Sequence, residues 1–254
     1  MAQHYVYRFS AELKNYRPRI WRLFEIDGEK TMAELGYALM LMFEMQASHL
    51  FSFREDRKAE ALRILQTMLP AAEARKVWAS EASRAMSQYL RYELANPYME
   101  QEDYEQIIPA DSIKLQEITD RSSWRLTFEY DYGDGWEVDV TLKKCEKREV
   151  SLADLPRVLE GEGFGIIEDV GGVGGLESLA EALRQGSGEQ YEEFCDWLDS
   201  TTIDLESFDI DDMNYRLKKL LPVYKGIYEQ NLAPSDKMLA ILLREYLGKG
   251  SQGY

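Results

Sequence analysis

The stretch Trp124–Leu142, WRLTFEYDYGDGWEVDVTL, decides the fold. Its even-numbered positions are apolar, except Asp134 at the centre, and its odd-numbered positions are polar or glycine. This period of two is typical of strands that bury one face and expose the other. The segment therefore predicts two antiparallel strands joined by a turn around Asp134.

The parity of this stretch also predicts the length of the turn. A two-residue loop, 134–135, would join the apolar face of one strand to the polar face of the other. A three-residue loop, 133–135, pairs Tyr132 with Trp136 and keeps both apolar sets on one face. Gly135 supplies the positive φ that such loops need at their last position. We therefore predict a three-residue hairpin with Asp134 at its tip.

Acidic side chains gather at this predicted turn: Asp131, Asp134, Glu137 and Asp139. Charge on the open side of a half-buried sheet is ordinary. A solvated acidic face is therefore the first interpretation of these four carboxylates.

The composition is that of a folded acidic protein. The 254 residues include 46 acidic and 30 basic side chains, a net charge of −16. Binding nucleic acid through its phosphates needs a basic surface, so a nucleic-acid partner is not expected. A small basic patch around the first turn is interpreted as solvated surface: Lys14, Arg17, Arg19 and Arg22, with Tyr16 and Trp21 interleaved.

The cysteines and the apolar runs indicate a cytoplasmic protein. Cys145 and Cys195 form no CxxC or Cys/His spacing, which excludes a zinc finger. Two thiols in a chain of this length suggest a reducing compartment. No run is apolar for long enough to span a membrane, and the first residues do not resemble a signal peptide.

The rest of the chain predicts an α+β fold, an antiparallel sheet packed by helices. Strands are expected at 5–13 and 20–26, and Thr31 with Glu34 predicts a capping box at the start of a helix. A third short strand is expected from His49. A helical insertion is expected at about 57–110, and further helices follow at about 176–185, 189–199, 210–221 and 235–247. We therefore predict one domain over 1–220 and a C-terminal helical extension over 221–254.

Three motifs, taken together, carry a family resemblance. They are Pro18-x-Ile20-Trp21-Arg22, then Tyr130–Glu137 (YDYGDGWE), then Gly161-x-Gly163-x4-Glu168-Asp169-x-Gly171-Gly172. In order and spacing the chain resembles the plasmid Ri open-reading-frame-three-like family over most of residues 5–220. Members are often labelled TnpR-like passenger proteins of insertion elements. The family has no established activity, so the resemblance implies fold and kinship with mobile elements.

The chain also departs from the pattern of that family. Gly36 and Val138 stand where the family often has histidine, and Val170 stands where it often has cysteine. His49 remains, within the family's His-Leu-x-x-Phe strand. A soft-metal site built on those positions is therefore absent from this chain, which argues against zinc.

Glu168 and Asp169, before a glycine-rich loop, are the strongest candidates for chemistry. They could bind a hard cation such as Mg²⁺ or Ca²⁺ if Asp131 or Asp134 converged on them within about 5 Å. The favoured alternative is structural, because acidic residues beside glycines commonly cap helices and close turns. His49, the only internal histidine, is interpreted as a hydrogen-bonded core residue rather than a catalytic base. The glycines spell neither a P-loop nor a dinucleotide fingerprint.

The sequence therefore favours a non-catalytic binding or regulatory protein of mobile-element origin, with an unidentified protein partner and no cofactor. One alternative is a metal-assisted hydrolase that uses a divalent cation on Asp131, Asp134, Glu168 and Asp169. Another is a DNA recombination accessory protein, which the acidic balance disfavours. The candidate binding-site residues are Trp21, Arg22, His49, Asp131, Asp134, Trp136, Glu137, Glu168 and Asp169.

Overall fold

One eight-stranded sheet forms the frame of the described chain. The computed structural model describes residues 2–57, 62, 65–79, 89–94, 105–118, 124–199 and 203–244. The strands are β1 (Gln3–Leu13), β2 (Trp21–Asp27), β3 (Phe51–Asp56), β4 (Tyr89–Glu93), β5 (Glu105–Pro109), β6 (Arg125–Tyr130), β7 (Trp136–Glu149) and β8 (Arg157–Glu162). Their order is β5-β4-β3-β6-β7-β1-β2-β8. All neighbours are antiparallel except β4 and β5, so the predicted α+β class is confirmed and the sheet is mixed.

Helices cover one side of this sheet and build the C-terminal part. They are α1 (Met32–Met42), α2 (Ala71–Ala79), α3 (Leu115–Ile118), α4 (Gly172–Gln185), α5 (Glu189–Trp197), α6 (Ile210–Gln230) and α7 (Asp236–Leu242), with a 3-10 turn at Leu152–Asp154. The predicted capping box is confirmed: Thr31 Oγ1 accepts from the Glu34 N–H, and Glu34 Oε2 accepts from the Thr31 N–H.

Helix α1 lies in the middle layer of the molecule. Its residues are buried apart from Glu34, which is largely covered. The Tyr37 ring packs edge-on against Phe51 of β3, 5.8 Å between centroids, and stacks on Tyr228 of α6 at 5.4 Å. A helix that is apolar all round is stable only when it is covered on every side. The sheet and α6 therefore provide the two walls of the core around α1.

The hairpin between β6 and β7 corrects the predicted register. Tyr130 pairs with Trp136 and Phe128 with Val138, so the loop has five residues and not three. Asp131 closes it, because its backbone oxygen accepts from the Gly135 N–H at 2.7 Å and its Oδ1 accepts from the Gly133 N–H at 2.9 Å. The apolar faces still match, since a shift of two residues preserves the alternation. Gly135 has the predicted positive φ, +69°.

The segment expected to be a helical insertion is only partly helical. Helix α2 follows Pro70, as the sequence indicated, but β4 and β5 add two strands at the edge of the sheet. Other parts of the expected insertion, residues 58–61, 63–64, 80–88 and 95–104, lie outside the described residues.

Helix α6 runs through the domain boundary expected after residue 220. It continues past Pro222 to Gln230, because its buried stripe, which includes Leu217, Leu221 and Tyr224, packs in the core and the helix contacts α1. Packing thus outweighs the helix-breaking tendency of an internal proline, which costs about 3 kcal/mol. In the described part of the chain, no helix has the length and hydropathy that crossing a bilayer requires.

Candidate functional site

Three carboxylates surround the imidazole of His49. The Nε2 atom lies 3.5 Å from Asp131 Oδ2, 3.5 Å from Glu168 Oε2 and 3.5 Å from Asp169 Oδ1. Among the described residues, His49, Asp131 and Glu168 each offer one ligand atom, and these atoms lie within 4.8 Å of one another. We call these three residues the cation cluster.

The main chain places His49 at the end of a tight turn that follows α1. Glu44 and Ala47 both adopt positive φ in that turn, so strand β3 begins at Phe51 and not at His49 as expected. The Tyr228 hydroxyl donates to the His49 carbonyl at 2.5 Å, and the imidazole packs edge-on against the Tyr130 ring. His49 is therefore not the core histidine that the alternation predicted: 30% of its side chain is exposed.

Asp131 divides its two carboxylate oxygens between the hairpin and the cluster. Oδ1 accepts a hydrogen bond from the Gly133 N–H, whereas Oδ2 faces His49. The backbone of Asp131 is left-handed, with φ of +52°, a conformation that aspartate tolerates better than most residues. Its N–H donates to the Leu50 carbonyl at 3.1 Å, which ties the hairpin to the turn that carries His49.

Glu168 divides its oxygens in the same way. Oε1 accepts from the Gln46 N–H at 2.6 Å and from the Tyr130 hydroxyl at 2.7 Å. Oε2 is buried and accepts no hydrogen bond from the described residues, although it faces His49. Buried polar atoms almost always have a partner. Glu168 Oε2 is therefore the buried oxygen of this site that can still accept a hydrogen bond or a cation.

Burial raises the pKa of the Glu168 carboxyl above its ordinary value, against the hydrogen bonds from Gln46 and Tyr130 that favour its charged form. Removing a carboxylate from water disfavours its charged form. A bound cation would reverse this effect, because it stabilises the deprotonated carboxylate.

We expect Glu168→Gln to stabilise the metal-free protein at neutral pH, by on the order of 1 kcal/mol. Glutamine keeps an acceptor for Gln46 and Tyr130 but carries no buried charge. Because the folded pKa of Glu168 is raised, its contribution to stability is complete below pH 4.5 and is lost as pH rises through that pKa. Urea unfolding from pH 4.5 to 8 should show the advantage of the variant growing with pH. An advantage that is constant or shrinks with pH would contradict this.

Asp169 lies on the open side of the cluster. Its side chain is 75% exposed, and its backbone is also left-handed, with φ of +59°. One oxygen faces His49, while the rest of the carboxylate borders solvent and a cavity of about 260 Å³. Asp169 therefore lies between the His49 imidazole and the cavity.

Asp134 joins the hairpin to the glycine-rich loop instead of the cluster. Its Oδ2 accepts from the Gly171 N–H at 3.2 Å. Gly172 has φ of +69°, and a Cβ there would lie 2.4 Å from the Asp134 carbonyl oxygen. A glycine is thus required at this close approach. The structural role was expected for Glu168 and Asp169, and Glu168 Oε1 does accept from a backbone N–H, that of Gln46. Asp134, which was named only as a possible cation ligand, accepts from the backbone of the glycine-rich loop.

The other four candidate residues are not part of the cation cluster. Trp21 Nε1 donates to Glu162 at 3.0 Å, and Arg22 is fully buried. Glu137 pairs with Lys14 at 2.6 Å on the open face of the sheet. Trp136 is buried directly opposite Tyr130 in the hairpin.

Two residues that hydrogen-bond to Glu168 were not predicted from the sequence. Tyr130 was counted only as a member of the apolar face, yet its hydroxyl links Glu168 to the Ser48 N–H. Gln46 contributes through its backbone, which no sequence pattern marks. Its position directly before Asp131 is the sequence feature that could have identified Tyr130 as part of the site.

The convergence that the cation hypothesis required is therefore present, with a changed set of ligands. Asp131 and Glu168 meet within the expected span of about 5 Å, Asp134 does not take part, and His49 does. The two oxygens lie 3.5 Å from Nε2. Ligand atoms about 2.1 Å from a tetrahedral ion lie about 3.4 Å from one another.

A comparison with family models decides the kinship of the chain. Residues 5–214 match the model described as plasmid pRiA4b ORF-3-like protein. The chain belongs to the plasmid pRiA4b ORF-3-like family. The cluster residues His49, Asp131 and Glu168 all lie within the matched region, as do Gly36, Val138 and Val170.

One curated relative is the uncharacterized protein y4hQ of Sinorhizobium fredii. It is 30% identical over 101 residues, 39% of this chain, and the match spans 50% of that relative. The chain thus aligns with about half the length of the curated relative it matches.

A solved structure shares the fold. It is a protein of unknown function, MM3350, from Methanosarcina mazei Go1, with a TM-score of 0.61 and 23% identity. The similarity covers 82% of this chain and 97% of that one. The two chains therefore share one fold over most of their lengths.

Proposed function

We propose that this protein binds one divalent cation through His49 Nε2, Asp131 Oδ2 and Glu168 Oε2. The observation that carries the proposal is the buried Glu168 Oε2, which has no hydrogen-bond donor among the described residues and faces the imidazole at 3.5 Å. A buried carboxylate with an unused oxygen is costly unless a cation approaches it. The second oxygen of each carboxylate is already fixed by hydrogen bonds, so the free oxygens are preorganised.

The donor set favours a first-row transition metal over Mg²⁺ or Ca²⁺. Imidazole nitrogen suits Zn²⁺, Fe²⁺ and related ions, whereas Mg²⁺ and Ca²⁺ prefer all-oxygen sites. The argument against zinc from the sequence concerned a Cys/His set, which differs from one imidazole with two carboxylates. Three protein ligands leave at least one position for water or a ligand.

A binding or regulatory role agrees with this site. An ion on His49, Asp131 and Glu168 would lock the turn after α1, the hairpin and the glycine-rich loop together. Binding free energy of that kind adds to the stability of the folded state. The protein partner, the TnpR-like label and the mobile-element context stay predictions.

Metal-assisted hydrolysis is the second candidate function, and Asp169 is the observation that favours it. A bound ion lowers the pKa of its water, and a neighbouring carboxylate can accept the proton. Asp169 is an exposed carboxylate close to that position, with Oδ1 at 3.5 Å from His49 Nε2. Hydrolysis of an activated ester by the ion-loaded protein, but not by its metal-stripped form or Asp169→Asn, would favour this candidate.

The test of ion binding is a thermal-shift titration of metal-stripped protein with Mn²⁺, Zn²⁺, Mg²⁺ and Ca²⁺. An ion at about 100 times its Kd adds about 2.7 kcal/mol, which raises Tm by roughly 5–10 °C for a chain of this size. We expect that shift with Mn²⁺ or Zn²⁺, at a calorimetric stoichiometry of one. His49→Ala and Glu168→Gln should each abolish it.

The matched control is Glu149→Gln, which neutralises an exposed carboxylate at the far end of β7. It should keep the full shift. Shifts are compared with the metal-free form of each variant, because Glu168→Gln changes the starting stability. If no ion shifts Tm, or if His49→Ala and Glu168→Gln respond like the parent protein, the proposal fails.

A further inference from the structure

A groove lined by carboxylates and aromatic rings opens beside the cation cluster. It is a cavity of about 260 Å³, lined by Asp169, Val170, Gln190, Glu193, Phe194 and Trp197. The first two residues belong to the glycine-rich loop and the others to α5. Asp169 also faces His49, so the groove opens directly beside the ion site.

The groove carries two carboxylates, Asp169 and Glu193, and no lysine or arginine in its lining. Neither Asp169 nor Glu193 pairs with a lysine or arginine within the described ranges, and no basic side chain lines the cavity. Helix α5 itself, EQYEEFCDW, has four acidic residues and no basic one. The negative potential of such a surface attracts cations and repels phosphate or carboxylate ligands.

Two aromatic side chains supply the apolar wall. Trp197 is 49% exposed, and its ring lies 6.4 Å from that of Phe194. An exposed tryptophan beside carboxylates is the arrangement that recognises ammonium and guanidinium groups, because the ring face attracts a cation. The aliphatic stem of such a ligand would pack on the same rings.

The size of the cavity limits the ligand. Sites for drug-sized molecules enclose about 300–1,000 Å³, so this groove is large enough for one long side chain but not for a nucleotide. We propose that the groove binds an alkylammonium or guanidinium group on an aliphatic stem. Its two sources are a lysine or arginine side chain of a peptide, or a free polyamine. The inference extends the proposed function, since the ligand would lie next to the bound ion.

The test is calorimetric titration of the metal-free full-length protein at low salt. The probes are the N-acetyl methylamides of lysine, arginine and norleucine, together with spermidine. We expect lysine and arginine to bind at least about tenfold more tightly than norleucine, which has the stem without the charge. Tighter binding of spermidine than of both amino-acid probes would identify a free polyamine as the source, and the reverse would identify a peptide.

Variants locate the binding to the groove. Trp197→Ala and Glu193→Gln should each weaken lysine binding by roughly fivefold, the size of an exposed cation–π contact or one screened charge. Glu192→Gln, an adjacent exposed carboxylate of α5 outside the groove, is the matched control and should bind as the parent does. Equal binding of norleucine, or equal losses in Glu192→Gln and Glu193→Gln, would overturn the proposal.

Failure of this inference can be distinguished from failure of ion binding. Trp197→Ala and Glu193→Gln leave the cation cluster untouched, so their thermal shift with metal should be unchanged. An ion shift without amine binding would leave the cation site standing and remove the groove ligand. Amine binding without a metal-dependent thermal shift would support the groove ligand and remove the cation site.

Discussion

Replacing Glu44 by alanine should lower the free energy of unfolding by about 3–5 kcal/mol, the cost of removing one partner from a buried ion pair. Both oxygens of Glu44 accept from Arg216 Nη1, at 2.7 and 2.9 Å. They also accept from Arg244, at 2.6 and 3.0 Å. Arg216 is 2% exposed and pairs with no other carboxylate among the described residues, so the variant would leave its charge without a carboxylate partner there. Within the described part of the chain, Arg244 would keep Asp212 as its one carboxylate partner.

Chemical unfolding at pH 7 measures this effect, and Glu181→Ala is its control. Glu181 also pairs with an arginine, but on the exposed surface of α4, where a pair contributes about 0–1 kcal/mol. The double variant Glu44→Ala with Arg216→Met should be less destabilised than the sum of the two single variants. If Glu44→Ala is no more destabilised than Glu181→Ala, the ion pair of Glu44 with Arg216 and Arg244 does not stabilise the fold as expected.

The pH dependence of the two buried glutamates has opposite signs. Burial alone would raise the pKa of the Glu44 carboxyl, but Arg216 and Arg244 outweigh burial and hold the pKa below its ordinary value of 4.5. The stabilisation from Glu44 is therefore complete above that pH and is lost as pH falls through the folded pKa. Glu168, with a raised pKa, destabilises the metal-free protein as pH rises. Burial raises the pKa of both carboxyls. Two arginines outweigh burial at Glu44, whereas at Glu168 the hydrogen bonds from Gln46 and Tyr130 and the nearby His49 do not.

Replacing Arg22 by methionine should have an effect of similar size, about 3–5 kcal/mol, because buried carbonyl oxygens would lose their donors. The guanidinium donates five hydrogen bonds, at 2.7–3.0 Å, to backbone carbonyls of Met42, Trp21, Glu162, Gly163 and Phe164. It also lies 3.8 Å from the centroid of the Phe208 ring. Methionine would replace the volume of the side chain but none of the donors.

Arg19→Met provides the control for Arg22→Met. Arg19 is half-exposed and pairs with Glu12, so its removal should change stability by less than about 1 kcal/mol. Arg22→Lys should recover only part of the loss, since an ammonium has three donors and lacks the planar fork. Full stability in Arg22→Lys would mean that charge alone matters and that the five-carbonyl geometry does not.

Glu44 and Arg22 both stabilise backbone segments next to the cation cluster. Glu44 lies two residues before Gln46, whose N–H fixes Glu168. Arg22 holds the carbonyl of Phe164, at the start of the segment that leads to Glu168. Arg22, a candidate binding residue by its motif, therefore acts on the site through the backbone and has no free donor for a ligand.

Patterns within short stretches of the sequence predicted several strands of the sheet and the start of α1. The alternation in Trp124–Leu142 gave the buried face of β6 and β7, and the capping box gave the start of α1. The register of the hairpin was wrong by two residues. A strand pattern of period two cannot distinguish registers that differ by an even number, and the hydrogen bonds of Asp131 made that choice.

The cation cluster was predicted in part. The sequence named His49, Asp131 and Glu168 as candidate residues, and it required the hairpin and the glycine-rich loop to converge. It also placed His49 in a strand with its side chain in the core. The turn at Glu44 and Ala47, both at positive φ, ends that pattern and turns the imidazole toward the carboxylates.

The sequence by itself determined the α+β class, the strand faces, the helix cap and the family of this protein. Each strand face and the helix cap depend on residues close together in the chain, and the family depends on the order and spacing of three short motifs. Only the tertiary structure decided which carboxylates face His49. Glu168 lies 119 positions from His49, and the left-handed backbone at Asp131 and Asp169 sets the direction of their side chains. A site of this kind depends on how three distant turns pack against one another, and no local pattern of residues encodes that packing.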